Sequence, residues 1–252
     1  MDVQAYLNRI NFHGRLAPNI ETLRPLQRSH LLTVPFENLS IHAHEPIRLE
    51  EEALFEKIVR RRRGGFCYEL NGLFAALLRN LKFDVSMLSA STINSEGQFG
   101  AEFDHMTLLV QLEERWLVDV GFGDSFMEPL LLDDRAAQVR AGRTYRLQTD
   151  KEDRLILERL EEDRRWSPQY RFRLVAHTMD EYQEMCRYHQ TSPKSMFTQR
   201  RICSRATPDG RVTLSQMRLI ITRNGERHER ELAGEKEYAQ ALQEHFGLVM
   251  QR

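Results

Sequence analysis

The hydrophobic pattern shifts from helical to strand spacing near Lys82, and this change limits the possible folds more than any other feature. Before it, apolar residues recur three and four apart: Val3, Tyr6, Leu7 and Ile10; then Leu49, Ala53, Leu54 and Ile58; then Leu70, Phe74, Leu77, Leu78 and Leu81. Such spacing lays an apolar stripe along one face of a helix. After Lys82 the runs shorten and predict strands over 83–88, 105–112, 115–120, 144–148, 155–160 and 170–174. Thr178 and Glu181 form a capping box for a helix reaching His189. Pro208-Asp209-Gly210 and Asn224-Gly225 mark two hairpins, and a closing helix over 235–246 stops at Gly247. The chain reads as an α+β protein in the order helices, strands, mixed.

With 252 residues, 41% of them hydrophobic, the chain can bury a core without covalent staples. Its 36 basic and 37 acidic residues give a formal charge of -1, so no overall field favours nucleic acid or an anionic membrane. The one basic cluster, Arg60 to Arg63, reads as a solvated helix end whose cations complement the C-terminal dipole. Residues 1–10 lack the apolar segment of a signal peptide, and no window approaches the roughly twenty apolar residues that cross a bilayer. Cys67, Cys186 and Cys203 make an odd count that does not resemble a disulfide framework, which points to a reducing cytoplasm. No CxxC pair or close Cys/His set suggests a metal, and His42 with His44 stands isolated.

Chemistry concentrates at Arg63-Gly64-Gly65-Phe66-Cys67-Tyr68-Glu69-Leu70-Asn71, where a diglycine turn feeds a cysteine into a helix. Free backbone N–H groups and the positive end of the helix favour a thiolate there and lower the cysteine pKa. The same N–H groups can receive the oxygen that turns negative when sulfur attacks a carbonyl. Taken alone, the block is equally a turn followed by a small buried residue. Partners come from two adjacent strands: His105 opens one, and Asp119 lies in the apolar strand Trp116-Leu117-Val118-Asp119-Val120. A carboxylate in an apolar strand needs a hydrogen-bond donor. If the strands pair through Glu113-Glu114, Asp119 orients His105 and His105 deprotonates Cys67, in the logic of a nucleophile, base and orienter. Cys186 and Cys203 lack such a setting.

At these positions the chain resembles the arylamine N-acetyltransferases. The likeness is carried by Val34-Pro35-Phe36-Glu37-Asn38-Leu39, the block at 63–71, Asp104-His105-Met106, and Asp119-Val120-Gly121-Phe122-Gly123 followed by Pro129-Leu130. The resemblance implies a helical N-terminal lobe (1–82), a central β-barrel lobe (83–190) and a C-terminal α/β lobe (191–252) around a cysteine-protease-like catalytic core. It implies acetyl-CoA as co-substrate and ping-pong transfer through Cys67, with His105 and Asp119 completing the triad. Small aromatic amines, arylhydroxylamines or hydrazines would be acceptors. It further implies a supporting Glu37–Arg63 ion pair, Phe36, Phe122 and Phe197 lining the acceptor pocket, and Gly123 beside the CoA pyrophosphate. The short connection into the last lobe is similar to that of bacterial members. Two other readings stand beside it: a thiol hydrolase or transglutaminase-like enzyme using the same triad, and a binding module that kept the fold without the activity.

Overall fold

Asp2 starts the first helix by accepting the Ala5 N–H on its carboxylate, and Asn19 starts the second by accepting that of Thr22. The computed structural model describes residues 1–94 and 96–250. The first region holds α1 (Val3–Arg9), α2 (Ile20–Thr33), β1 (Phe36–Glu37), α3 (Leu39–His42), α4 (Glu51–Phe55) and α5 (Cys67–Asn80). Helix α5 is apolar nearly all round, with Leu70, Leu73, Phe74, Leu77 and Leu78 fully buried, as befits a helix surrounded by protein. Between α4 and α5 the chain continues as a π-helical turn, Glu56–Arg60, where the sequence predicts one unbroken helix. Helix α2 is not evident from apolar spacing, because its buried face includes the polar Thr22, Gln27 and His30 and its interior carries Pro25.

Eight strands form an antiparallel sheet in the order β5-β4-β3-β2-β9-β8-β7-β6. They are β2 (Asp84–Thr92), β3 (His105–Gln111), β4 (Arg115–Val118), β5 (Leu130–Leu131), β6 (Gln138–Arg140), β7 (Arg143–Thr149), β8 (Leu155–Leu160) and β9 (Trp166–His177). The sheet curls until its two edges meet. The Gln138 side-chain amide of β6 donates to the Leu131 carbonyl and accepts the Leu131 N–H, both at 2.8 Å, so one side chain joins edge to edge. Leu88, Leu117, Leu147, Leu157, Tyr145 and Phe172 fill the interior. One face of β2, β3 and β4 also packs on α5, through Val85, Met87, Met106, Leu108, Val110 and Val118. Strands β2 and β9 run four and seven residues beyond or around their predicted spans, since pairing with neighbours sustains an extended chain through polar positions such as Ser89, Ser91 and Arg173.

A 3₁₀ turn, Met179–Tyr182, follows the predicted capping box, and α6 (Gln183–Thr191) returns to the helical region, where Tyr182 and Cys186 join its core. After α7 (Met196–Gln199) come the two predicted hairpins, β10 (Ile202–Thr207) with β11 (Gly210–Ser215) and β12 (Arg218–Arg223) with β13 (Glu226–Glu231), then α8 (Glu235–Phe246). Asn224 and Gly225, both at positive φ, make the second turn. Helix α8 lays Tyr238, Ala241, Leu242 and Phe246 over Val212, Leu214 and Leu219. The outer strand β13 is charged and exposed throughout, which discourages pairing with another chain. On the opposite edge, β1 pairs with β10 in the register Phe36↔Ser204 and Glu37↔Cys203, so an N-terminal segment completes a C-terminal sheet. The helix–barrel–mixed order of the sequence reading is the observed architecture.

Candidate active site

The turn before Cys67 needs both glycines. A Cβ on Gly64 would lie 2.0 Å from the Pro35 carbonyl oxygen, and one on Gly65 would lie 2.7 Å from Glu69 Cβ. Without side chains the turn docks on β1, with the Glu37 N–H donating to the Gly65 carbonyl at 2.8 Å. Glu69 then accepts the Phe66 N–H at 3.1 Å and the Lys57 ammonium at 2.7 Å, fixing the entry into α5. Cys67 is its first residue.

Strand β3 meets α5 at this point. The Met106 backbone N–H faces the Cys67 sulfur, and the neighbouring His105 donates from Nε2 to Asp119 Oδ2 at 2.7 Å. A carboxylate at Nε2 fixes the proton there and leaves Nδ1 as the nitrogen able to take one. Asp119 is wholly buried and well satisfied: Oδ1 accepts the Gly121 N–H at 2.8 Å and Asn71 Nδ2 at 2.9 Å. Asn71, one helical turn after Cys67, also donates to the Met106 carbonyl at 2.6 Å and accepts the Val120 N–H at 2.9 Å. Its single amide binds helix, β3 and the segment just after β4, for the strand expected to run to Val120 ends at Val118 and Asp119 follows it. Gly121 crosses so near that an added Cβ would stand 2.8 Å from Cys67 Cα.

One electrostatic expectation is reversed. Burial pushes the Cys67 thiol well above its ordinary value, the Met106 N–H opposes this, and the carboxylates of Asp104 and Asp119 reinforce it. In so dry a site, loss of hydration outweighs the pull of the helix N-terminus.

The remaining candidates gather around this centre. Arg63 leaves the solvated run of arginines and is buried against Glu37, with Nε donating to Oε1 at 3.0 Å and Nη2 2.9 Å from the same oxygen. Burial alone would raise the Glu37 carboxyl, but the charges of Lys57 and Arg63 and the Leu39 N–H hold it below its usual range. Phe122 stands edge-on to His105 at 5.2 Å between centroids. Phe36 and Phe197 pair at 6.1 Å, and Gly123, at φ +87°, passes the Phe36 ring. Sequence reasoning assigned no role to Asn71, Gly121 or Arg9. The i, i+4 spacing of Cys67 and Asn71 was the available signal. Arg9 is a buried guanidinium that donates to the carbonyls of Thr33, Ile58, Arg62 and Arg63 and so braces the loop before the diglycine.

Beyond Gly123 lies a cleft of about 700 Å³ between the barrel and the five-stranded sheet. Asp124 is its hub, accepting from Arg143 at 2.6 Å, Arg211 at 3.0 Å and Arg159 at 3.4 Å. Arg159 also bonds Glu161, so three guanidinium groups against two carboxylates leave one positive charge for an anion.

The fold and the family it matches define an acyltransferase: the sequence profile of the N-acetyltransferase family matches residues 19–252. The chain belongs to the arylamine N-acetyltransferase family. It is 34% identical to the Arylamine N-acetyltransferase of Escherichia coli (strain K12), over 96% of this chain and 87% of that one. It is also 34% identical to Proansamycin X synthase of Amycolatopsis mediterranei (strain S699), over 94% of each. The solved structure of Mycobacterium marinum arylamine N-acetyltransferase in complex with CoA superposes with a TM-score of 0.91 at 31% identity, covering 98% of this chain and 92% of that one.

Proposed function

We propose that the chain transfers acetyl from acetyl-CoA through Cys67 to arylamines, arylhydroxylamines or hydrazines. The observation that carries this reading is the hydrogen-bonded His105–Asp119 pair, locked by Asn71 and Gly121 against the first turn of α5. Because burial keeps the lone thiol protonated, the thiolate arises by transfer of the Cys67 proton to His105 Nδ1, with Asp119 balancing the imidazolium. Sulfur attacks the thioester carbonyl, and the first-turn N–H groups of α5 receive the oxyanion. The C–S bond to CoA breaks, and His105 gives its proton to the departing thiolate, releasing the thiol. In the second half, the acceptor nitrogen attacks the acetyl-cysteine, His105 takes its proton, and Cys67 leaves as thiolate.

CoA carries a thioester at one end and phosphates at the other. Gly121, Phe122, Gly123 and Asp124 run from Cys67 to the arginine-lined cleft, so the residues present fit both ends, with Arg143, Arg159 and Arg211 as phosphate partners. Phe36, Phe122 and Phe197 form the aromatic side where an acceptor ring would rest. The lobes expected at 1–82, 83–190 and 191–252 share cores: the helical core takes in one face of β2, β3 and β4 and the start of α6, and the C-terminal core takes in Leu39.

Intact mass after brief exposure to acetyl-CoA without amine, with peptide mapping, tests the reading. The expected result is one acetyl group on Cys67, discharged by an aromatic amine, and none on Cys67→Ala. An unmodified thiol that still alkylates, or turnover of amide substrates without CoA, would favour hydrolysis instead.

A further inference from the structure

A second histidine–carboxylate pair lies beside Cys67. Asp104 directly precedes His105; its Oδ1 is 3.4 Å from His189 Nε2, and its Oδ2 accepts the Thr92 hydroxyl. His189 Nδ1 meets the Ser195 hydroxyl at 3.1 Å, and that oxygen accepts the Phe197 N–H at 3.2 Å. His189 thus faces the Asp104 carboxylate through Nε2 and shares a hydrogen bond with the Ser195 hydroxyl through Nδ1. Ser195 is buried and caps α7, which excludes it as a nucleophile open to substrate. The His189 ring is enclosed by Phe66, Tyr68 and Phe197 at 6.4, 6.0 and 5.1 Å. Phe66 and Tyr68 flank Cys67 in the chain, and the Tyr68 hydroxyl holds the Phe103 carbonyl at 2.5 Å. These contacts set the His189 ring against the residues that flank Cys67 and against Phe197, and Asp104 joins them through His189.

Asp104 differs from Asp119 in one respect. Its side chain is 22% exposed, against 0% for Asp119, so it keeps access to solvent where Asp119 has none. Burial raises its carboxyl, but the bonds from His189 and Thr92 outweigh this and hold it below the usual carboxylate range, ionised at neutral pH. The Cys67 thiol feels the charge, which pushes it upward.

We propose that Asp104 is a specificity-determining residue, a fixed negative charge that makes the site select neutral or cationic aromatic amines against anionic ones. This rests on the acetyl-transfer reading above. The charge is held by the Thr92 and His189–Ser195 contacts, and a partly dry site screens it less than water would. An acceptor bearing a carboxylate must bring like charge toward it, whereas an uncharged acceptor of equal shape does not.

The probes are 4-aminobenzoate and 4-aminobenzamide, which share a shape and differ in charge. Steady-state kcat/KM would be measured for both with the wild type, Asp104→Asn and Asp104→Glu, alongside acetylation of Cys67 without acceptor. Asp104→Asn is expected to raise the benzoate-to-benzamide ratio about tenfold, the order of one unit-charge interaction at partly buried separation. Asp104→Glu should keep the wild-type ratio. In the wild type, added salt should raise kcat/KM for the benzoate alone, a readout that needs no variant. An unchanged ratio in Asp104→Asn, an equal loss for both acceptors, or wild-type rates for the benzoate that do not respond to salt would overturn the proposal. A wild type that takes no acetyl group from acetyl-CoA would instead bring down the acetyl-transfer reading, and the charge preference with it.

Discussion

Asn71 shows how much of the site depends on a residue outside the triad. One side-chain amide serves the Asp119 carboxylate, the Met106 carbonyl and the Val120 N–H, all buried. Asn71→Ala removes these partners without admitting enough water to replace them, and each orphaned polar group costs about 1–3 kcal/mol. The expected result is a urea midpoint lowered by several kcal/mol of stability, together with a rate of Cys67 acetylation reduced about a hundredfold as Asp119 loses its orientation. Asn71→Asp is expected to be worse, since it sets a second carboxylate against Asp119. Single-turnover acetylation followed by mass, beside urea unfolding, checks both.

At the scale of elements, β1 and the diglycine turn form one unit through the Glu37–Arg63 pair. Arg63→Ala would leave the buried Glu37 carboxylate without its hydrogen-bonded guanidinium, with only the more distant Lys57 charge to offset it, which costs about 3–5 kcal/mol, whereas replacing both residues with apolar ones of similar volume should cost much less. Comparing denaturation midpoints of the single and double variants distinguishes these. The pair also sets a pH dependence. Because the folded Glu37 carboxyl lies below its ordinary value, its contribution is fully present above about pH 4.3 and is lost as pH falls through the lower folded value. Glu37→Gln should therefore flatten the acid limb of a stability–pH curve measured by urea unfolding between pH 7 and pH 3. Much of this level was legible in the sequence. Helices α1, α5 and α8 follow from their spacing and caps, and the hairpins from Pro208-Asp209-Gly210 and Asn224-Gly225. Helix α2 was hidden because it buries Gln27 and His30, whose partners, the Phe126 carbonyl and the Tyr6 hydroxyl, lie far along the chain. The triad and the Glu37–Arg63 pair were named from short motifs. The second pair, Asp104 with His189, was not, because nothing local links residues so far apart until α6 folds back on the helical core.

For the molecule as a whole, closure of the barrel and the C-terminal sheet decide whether these parts meet. Gln138 is the only side chain among the described residues that bonds both the N–H and the carbonyl of Leu131 across the seam. Gln138→Leu should cost about 1–3 kcal/mol and speed amide exchange at Leu131 while leaving that of α8 unchanged, which exchange mapped by mass spectrometry or NMR would show. A different consequence follows from the pairing of β1 with β10. The strand on which the cysteine turn rests is completed only by residues from the last quarter of the chain. During synthesis, Cys67 leaves the ribosome long before Ile202 to Thr207, so the nucleophile emerges on an unfinished platform. The platform under Cys67 is therefore finished only after β10 has emerged, and a chain interrupted before that point lacks the strand pairing that seats the turn.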